Sequence, residues 1–161
     1  MSSVADYVGR TVDLTAFHGA DPDSNRVLLI QTLVDELGGS VVTGIQKLAQ
    51  TFLIQLFKIR DPDGLDPNEG CQFIRDAIQG GWRQTADVTQ SFYASLIDIA
   101  RNFSVKENRQ TFPDDERYQS AVIDSIILDG DRVAVSITLT SQAGSTFNFI
   151  APIPILPGRV S

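Results

Sequence analysis

A chain of 161 residues with 42% hydrophobic and 20% charged side chains can bury one core without staples and is too apolar for wholesale disorder. Its formal net charge of -7 comes with only 13 Lys and Arg, scattered rather than gathered in a stripe. That argues against a nucleic-acid partner, whose phosphates are bound by clustered basic residues. A single cysteine, Cys71, excludes a disulfide framework and a multi-cysteine zinc site.

Residues 1–25 are polar, with an alternating piece at Val12, Leu14 and Ala16 and a turn cluster at Ala20-Asp-Pro-Asp-Ser-Asn25. They predict an extended N-terminal arm with a short strand. No basic stretch followed by an apolar one opens the chain, so no secretory signal is expected. Val27 to Val34 is apolar and fits either a strand or a short helix, ended by Gly38-Gly39.

Thr43 with Gln46 three residues on forms a capping-box pattern. Ile45, Leu48, Ala49, Phe52, Leu53, Leu56 and Phe57 then follow the i, i+3, i+4 spacing of one helix face. Gln46, Lys47, Gln50 and Gln55 fall opposite and predict an amide-rich outer face. The helix should end near Ile59, stopped by Asp61-Pro-Asp-Gly64, after a length of ~24 Å. A second helix is expected from Asn68 to Gln79, with Phe73, Ile74, Ala77 and Ile78 inward and Gly80-Gly81 closing it. A third, capped by Thr85, should run from Asp87 to Phe103 with Val88, Phe92, Leu96, Ile99, Ala100 and Phe103 on its stripe.

After Pro113 the period changes. Tyr118 to Leu128 reads as a mostly buried strand, Asp129-Gly-Asp131 as a hairpin turn, and Val133, Val135, Ile137 and Leu139 as the inner face of the returning strand. Gln142-Ala-Gly-Ser145 turns again into Thr146 to Ala151. The tail from Pro152 to Pro157 lacks the amide hydrogens of a central strand. The expectation is an α+β protein: an N-terminal arm and strand, about three helices, then an antiparallel β-meander packed on them. A single domain is expected over 26–156, with the arm over 1–25 and a tail over 157–161. No apolar run approaches the ~20 residues that span a bilayer. A soluble protein of a reducing cytoplasm, without a membrane partner, follows as the expectation.

Catalytic candidates are sparse. His18 and Cys71 are the only residues of their types and could form a nucleophilic pair, yet nothing around Cys71 resembles a nucleophile signature. A small buried core cysteine is the commoner fate. The 20 acidic residues lie mostly in turns, where Asp accepts local backbone hydrogen bonds. Asp61, Asp63, Asp66, Asn68 and Glu69 superficially resemble a calcium loop. Leu65, Asp66 and Gln72 occupy positions where that loop needs an oxygen ligand, glycine and glutamate, and Arg26 breaks the Asp21–Asn25 cluster in the same way. No metal or cofactor is expected. Phosphate-binding glycine loops, G-x-S-x-G and H-E-x-x-H are absent. An enzyme using those solutions is ruled out, leaving only one with dispersed residues. Pro113-Asp-Asp-Glu-Arg117 is a compact charged knot before the first strand of the meander, either a solvated loop or a partner-binding element.

Several of these features together resemble the baseplate wedge and sheath-initiator family of contractile phage tails, which has relatives in type VI secretion and related injection systems. They are Thr43-Gly-Ile-Gln-Lys-Leu-Ala-Gln50, Gly64-x-x-Pro67-x-x-Gly70, Phe73, Trp82-Arg83, Asp114-Asp-Glu-Arg117 and the meander ending in Ile150-Ala-Pro-Ile-Pro154. The resemblance spans Val41 to Pro154. It implies a structural virion protein without enzymatic activity, assembled in the host cytoplasm and present in several copies in the tail baseplate. Its implied partners are other wedge proteins and the tail sheath protein, with the tube or hub as a further neighbour. The family's Glu-Pro-Arg tripeptide engages the helical core of the wedge. Here Glu116 and Arg117 are adjacent and the proline is Pro113, so the charged pair carries over while the proline-set backbone differs. The implied partner-binding residues are Pro113, Glu116 and Arg117. Alternatives from other classes are a small hydrolase, lysozyme-like or cysteine-based, and a ring-forming tail module such as a terminator or connector.

Overall fold

The computed structural model describes residues 10–11, 13–14, 41–61, 64, 69–129 and 132–154. Most of the expected arm, the apolar run 27–34, His18, the hairpin tip at 130–131 and the tail from 155 lie outside the described residues. Within them the order is β1 (Asp13–Leu14), β2 (Val41–Val42), α1 (Gly44–Phe57), α2 (Phe73–Ile78), α3 (Thr85–Arg109), a single 3-10 turn (Asp114–Glu116), β3 (Tyr118–Asp129), β4 (Arg132–Ser141) and β5 (Thr146–Pro154). The expected α+β architecture, three helices followed by an antiparallel meander, is the one observed.

β4 is the central strand of the order β3-β4-β5, and its alternation explains the sheet's position. Val133, Val135, Ile137 and Leu139 are fully buried against the helices. Register then carries the inner face across to Ile123 and Ile126 on β3 and to Phe149, Ala151 and Ile153 on β5. α1 lies on this face, with Leu48, Ala49, Phe52, Leu53 and Leu56 buried and Ile45 and Phe57 packed at the margin. The Phe73 ring joins the second side of the core, 4.7 Å from Trp82 and 5.8 Å from Phe92.

Five expectations change. The outer face of α1 is not uniformly amide, because Gln50 and Gln55 are buried and only Gln46 of the three glutamines faces water. α1 is packed by α2 and α3 on one side and by the sheet on the other, so positions opposite the apolar stripe also meet protein. Gln55 is accommodated because its Oε1 accepts the Gly70 N–H at 2.7 Å and Asn102 Nδ2–H at 3.0 Å. Secondly, Thr43 does not close a capping box.

Thirdly, α2 starts at Phe73 rather than near Asn68, and its Ile78 is exposed. The chain from Lys58 to Cys71 is instead closed by a parallel bridge between Ile59 and Cys71, at which Cys71 N–H donates to Lys58 O at 2.9 Å. Gly70 permits that approach through a φ of +83°, and a Cβ there would lie 2.4 Å from Lys58 O. α3 is longer than expected, because Asp87 accepts the N–H groups of Arg83 and Gln84 at its start and polar side chains carry it past Phe103 to Arg109.

Finally, β3 is not mostly buried. Of its residues up to Leu128 only Ala121 is buried, while Val122, Ile127 and Leu128 are 44%, 61% and 37% exposed. β3 is an edge strand, and register shifts at Tyr118/Ser120 and Ile123/Ser125 turn alternate sets of its side chains outward.

Candidate functional site

Pro113 to Arg117 forms a knot where α1, α3 and the sheet converge. Pro113, with φ −59° and ψ 152°, starts the 3-10 turn, and its carbonyl accepts the Glu116 N–H at 2.9 Å. The turn is pinned from the sheet side as well. Ala143 N–H donates to Asp114 O at 3.1 Å and Gln142 N–H to Arg117 O at 2.9 Å, so the β4–β5 connection holds both of its ends. Tyr118, the next residue, stacks on Phe103 at 5.2 Å and on Phe52 at 6.1 Å, which anchors the start of β3 between α3 and α1. Burial pushes the Tyr118 phenol above its ordinary range.

This geometry sends Glu116 and Arg117 in opposite directions. The Glu116 side chain is 1% exposed and reaches the start of α1. Its Oε1 accepts from Thr43 Oγ1 at 3.0 Å and from the Gly44 N–H at 3.3 Å. Its Oε2 accepts from Thr11 Oγ1 and lies 3.6 Å from Lys47 Nζ. α1 has no acidic residue in its own first turn, so the partial positive charge of its N-terminus is answered by a carboxylate from far along the chain. Thr43 serves that carboxylate instead of capping the helix.

Around Glu116 the described part of the N-terminal segment is drawn in. Lys47 Nζ donates to Thr11 Oγ1, and Arg10 Nη1 contacts Asp115 Oδ2 at 2.6 Å. Gln50 Nε2 reaches Asp13 Oδ2 at 3.4 Å, and β1 pairs with β2 through Asp13↔Val42 and Leu14↔Val41. Gly44, with φ +62°, sits beneath this contact, where an added Cβ would come 2.8 Å from Asp115 Oδ2 and 2.9 Å from Arg10 Nη1.

Arg117 faces the C-terminal end of α3. Its Nε donates to Glu107 Oε2 at 3.4 Å and its Nη1 to Asp114 Oδ1 at 3.3 Å, with the side chain 37% exposed. Glu107 also accepts the Tyr118 N–H at 3.2 Å, so one carboxylate fixes both the guanidinium and the first residue of β3. Two recesses flank the knot. One of about 230 Å³ opens between α1 and α3 beside Lys47, Thr51, Lys106 and Phe112. A wider one of about 560 Å³ runs past Ser104, Asn108, Arg117, Gln119 and Gln142. The lining of the first is mainly apolar, with the ammonium groups of Lys47 and Lys106 beside the carboxylates of Glu107 and Glu116, and that of the second is mainly polar.

The sequence-level site named Pro113, Glu116 and Arg117, and all three belong to this knot. The sequence does not point to their partners Thr11, Thr43, Lys47 and Glu107. One signal did exist: a helix start at Gly44 without an acidic first turn calls for a carboxylate from elsewhere.

The other candidates stand apart from the knot. Cys71 is fully buried, its Sγ 3.5 Å from Leu56 O, and burial raises its thiol above the ordinary value. That environment favours the thiol over the nucleophilic thiolate. Of the calcium-like cluster, Glu69 is held by two ammonium groups, Lys58 at 2.5 Å and Lys106 at 2.7 Å, with Lys106 first in depressing its pKa. Among the described residues no group of three or more His, Cys, Asp or Glu side chains is placed to hold a metal ion, and no helix is long and apolar enough to cross a membrane. Comparison with protein-family models, with curated proteins and with solved structures finds no match to this chain.

Proposed function

We propose that the chain is a structural, non-enzymatic component of a contractile-tail baseplate. It docks on the wedge core through the Pro113–Arg117 knot and presents its sheet as the first template for sheath polymerisation. The observation that carries this reading is β3, a 12-residue edge strand with three large aliphatic side chains exposed. A protein that acts alone blunts such an edge with charge, proline, bulges or a covering loop, and β3 has two register shifts and the exposed Asp124 but keeps Ile127 and Leu128 uncovered at its far end. A protein that starts a polymer uses the same edge for β-augmentation. The knot supports the docking half: Arg117 is accessible, planar and already oriented by Glu107, ready to meet a carboxylate or carbonyl of a neighbouring protein.

The test is co-expression with the wedge and sheath proteins of the same tail. Arg117→Glu is expected to leave the isolated chain folded while blocking its incorporation into baseplates. Normal incorporation of the folded variant refutes the docking role. For the sheet, Ile127→Lys on the exposed edge is expected to lengthen the lag of sheath polymerisation in vitro, and an unchanged lag refutes the templating role.

A further inference from the structure

α3 has a second stripe besides the one it buries. Val88, Phe92, Ile99 and Phe103 face the core. On the opposite side Gln90, Tyr93, Ala94, Ile97, Ala100 and Ser104 are exposed, at the same i, i+3, i+4 spacing. A helix face that stays in water normally carries charged and polar groups. Here Ile97 is 75% exposed, more than any other large hydrophobic side chain described, and Tyr93 is 45% exposed. The chain has 20 acidic residues, yet none stands on this stripe. The acidic residues of α3 are half-buried at its margins and already engaged. Asp87 accepts the Arg83 and Gln84 N–H groups, Asp98 pairs with Arg60 and Arg101, and Glu107 holds Arg117.

The stripe is complementary to itself. α3 has 25 residues, Thr85 to Arg109, and Ile97 is the middle one. When a second α3 is laid against the first in the opposite direction, positions equally far from Ile97 come level. Ile97 then meets its own copy on the two-fold axis. Tyr93 comes level with Arg101 of the second copy at one end, and Arg101 with its Tyr93 at the other, so one cation–π match is made twice. The Arg101 side chain is 49% exposed and its Nη2 donates to Asp98 at 2.7 Å, an in-plane bond that leaves the guanidinium face free to stack. The Tyr93 ring is set by an edge contact with Phe92, with centroids 5.5 Å apart at 80°. Ala94 comes level with Ala100, and these small residues give the two long side chains room. Gln90 comes level with Ser104, which lines the recess of about 560 Å³ and leaves space for the longer amide. The antiparallel arrangement also sets the positive N-terminus of each helix near the negative C-terminus of the other.

From this self-complementarity we infer that the outer face of α3 is the interface of a homodimer, an isologous antiparallel helix pair centred on Ile97. A second copy supplies the Tyr93–Arg101 match at both ends of the contact, and that fixes the occupant. One helix pair built on Ile97 and Tyr93 is small beside the ~1,600 Å² of a standard interface, so the dimer is reversible and depends on concentration. The contact uses neither Arg117 nor the edge of β3, and it stands independently of the docking and templating roles.

Sedimentation equilibrium of the full chain over a wide concentration range should show a monomer–dimer equilibrium. Ile97→Glu sets two carboxylates together on the two-fold axis and should weaken dimerisation by about tenfold or more. Ile127→Lys, on β3, should leave it unchanged. Mild oxidation reads the direction of the helices. Ile97→Cys should form a covalent dimer by itself, while Tyr93→Cys and Arg101→Cys should cross-link only when mixed with each other. Gln46→Cys, exposed on α1, should not cross-link. Each substituted side chain is exposed, and unchanged thermal unfolding shows that the variants are folded. A monomer at every concentration overturns the proposal, and so does a dimer that Ile97→Glu leaves intact. Self-linking of Tyr93→Cys or Arg101→Cys refutes the antiparallel pair. A thiol at Ile97→Cys that is unreactive in the dilute monomer assigns the face to another segment of the same chain and overturns the proposal as well.

Discussion

Replacing Glu116 with alanine tests whether the knot is part of the folded core or a solvated loop. The carboxylate is buried and answers Thr11, Thr43, the Gly44 N–H and Lys47. Its removal leaves Lys47, with a side chain 16% exposed, facing the α1 N-terminus without a counter-charge. Breaking a buried pair by deleting one partner costs about 3–5 kcal/mol, because the remaining charge is uncompensated. Exposed ion pairs are worth under ~1 kcal/mol. The two descriptions of the knot thus differ several-fold in a measurable quantity. Urea unfolding of Glu116→Ala should show a loss of about 3–5 kcal/mol. At roughly 2–4 °C per kcal/mol for a chain of this size, the melting temperature should fall by about 6–20 °C. Glu116→Gln keeps an acceptor for Thr43 and the Gly44 N–H and should lose less, about 1–2 kcal/mol. A double-mutant cycle with Lys47→Met should return a coupling of ~1–3 kcal/mol. A loss below ~1 kcal/mol for Glu116→Ala, with no coupling to Lys47, refutes the assignment of the knot to the core.

Gly70 and Gly144 both have positive φ, but only Gly70 is crowded. Gly70→Ala should cost about 3 kcal/mol or more, from left-handed backbone plus a clash with Lys58 O, whereas Gly144→Ala should cost about 1 kcal/mol. Equal losses in thermal unfolding refute the close approach at Gly70. The Glu69 pKa lies below its ordinary value of 4.5, through Lys106 first and then Lys58. Its contribution is therefore complete above that value and is lost as pH falls through the lower, folded pKa. Glu69→Gln should flatten this part of the acid limb in pH-dependent unfolding, and an unchanged limb contradicts the ion-pair geometry. The Cys71 thiol is raised above its ordinary value of 9.0 by burial, so the unfolded chain loses that proton first and stability falls as pH rises beyond 9.0. At neutral pH a disulfide reagent should modify Cys71 only at the rate at which the chain opens, and rapid modification of the native protein contradicts its burial.

What the sequence conveyed well was whatever depends on period alone. β4 carries a strict alternation because one of its faces meets the helices along its whole length, and Val133 to Leu139 could be assigned without knowing their partners. The same pattern on α1 identified Leu48, Phe52 and Leu56. Period failed where tertiary neighbours decide. Gln50 and Gln55 read as outward because a one-sided helix would place them there, while α1 is enclosed from two sides. Val122, Ile127 and Leu128 read as buried because they are aliphatic, yet their strand lies at the sheet edge and its register shifts. Order within a sheet is a property of the assembled fold and leaves no local mark. The knot was visible as a charge cluster, but the direction of each charge depends on a 3-10 turn whose ends are held by the β4–β5 connection.

That turn divides the labour between two adjacent residues. In a continuous strand neighbouring side chains also point apart, but both faces of an exposed strand remain open to a partner. Here the turn drives Glu116 into the α1 start and leaves Arg117 at the surface, held by Glu107 and Asp114. Under the proposed docking a partner meets Arg117 at the surface, whereas the buried Glu116 carboxylate is engaged at the α1 start. Substitutions at the two positions should therefore separate. Arg117→Glu removes partly exposed pairs and should cost at most ~1 kcal/mol of stability while abolishing association with the wedge. Glu116 variants should lose stability and association together. Measured side by side by urea unfolding and by pull-down with the wedge proteins, a stable but non-binding Arg117 variant supports this division. An Arg117 variant as unstable as Glu116→Ala would place both charges in the core and leave the knot without an accessible docking group.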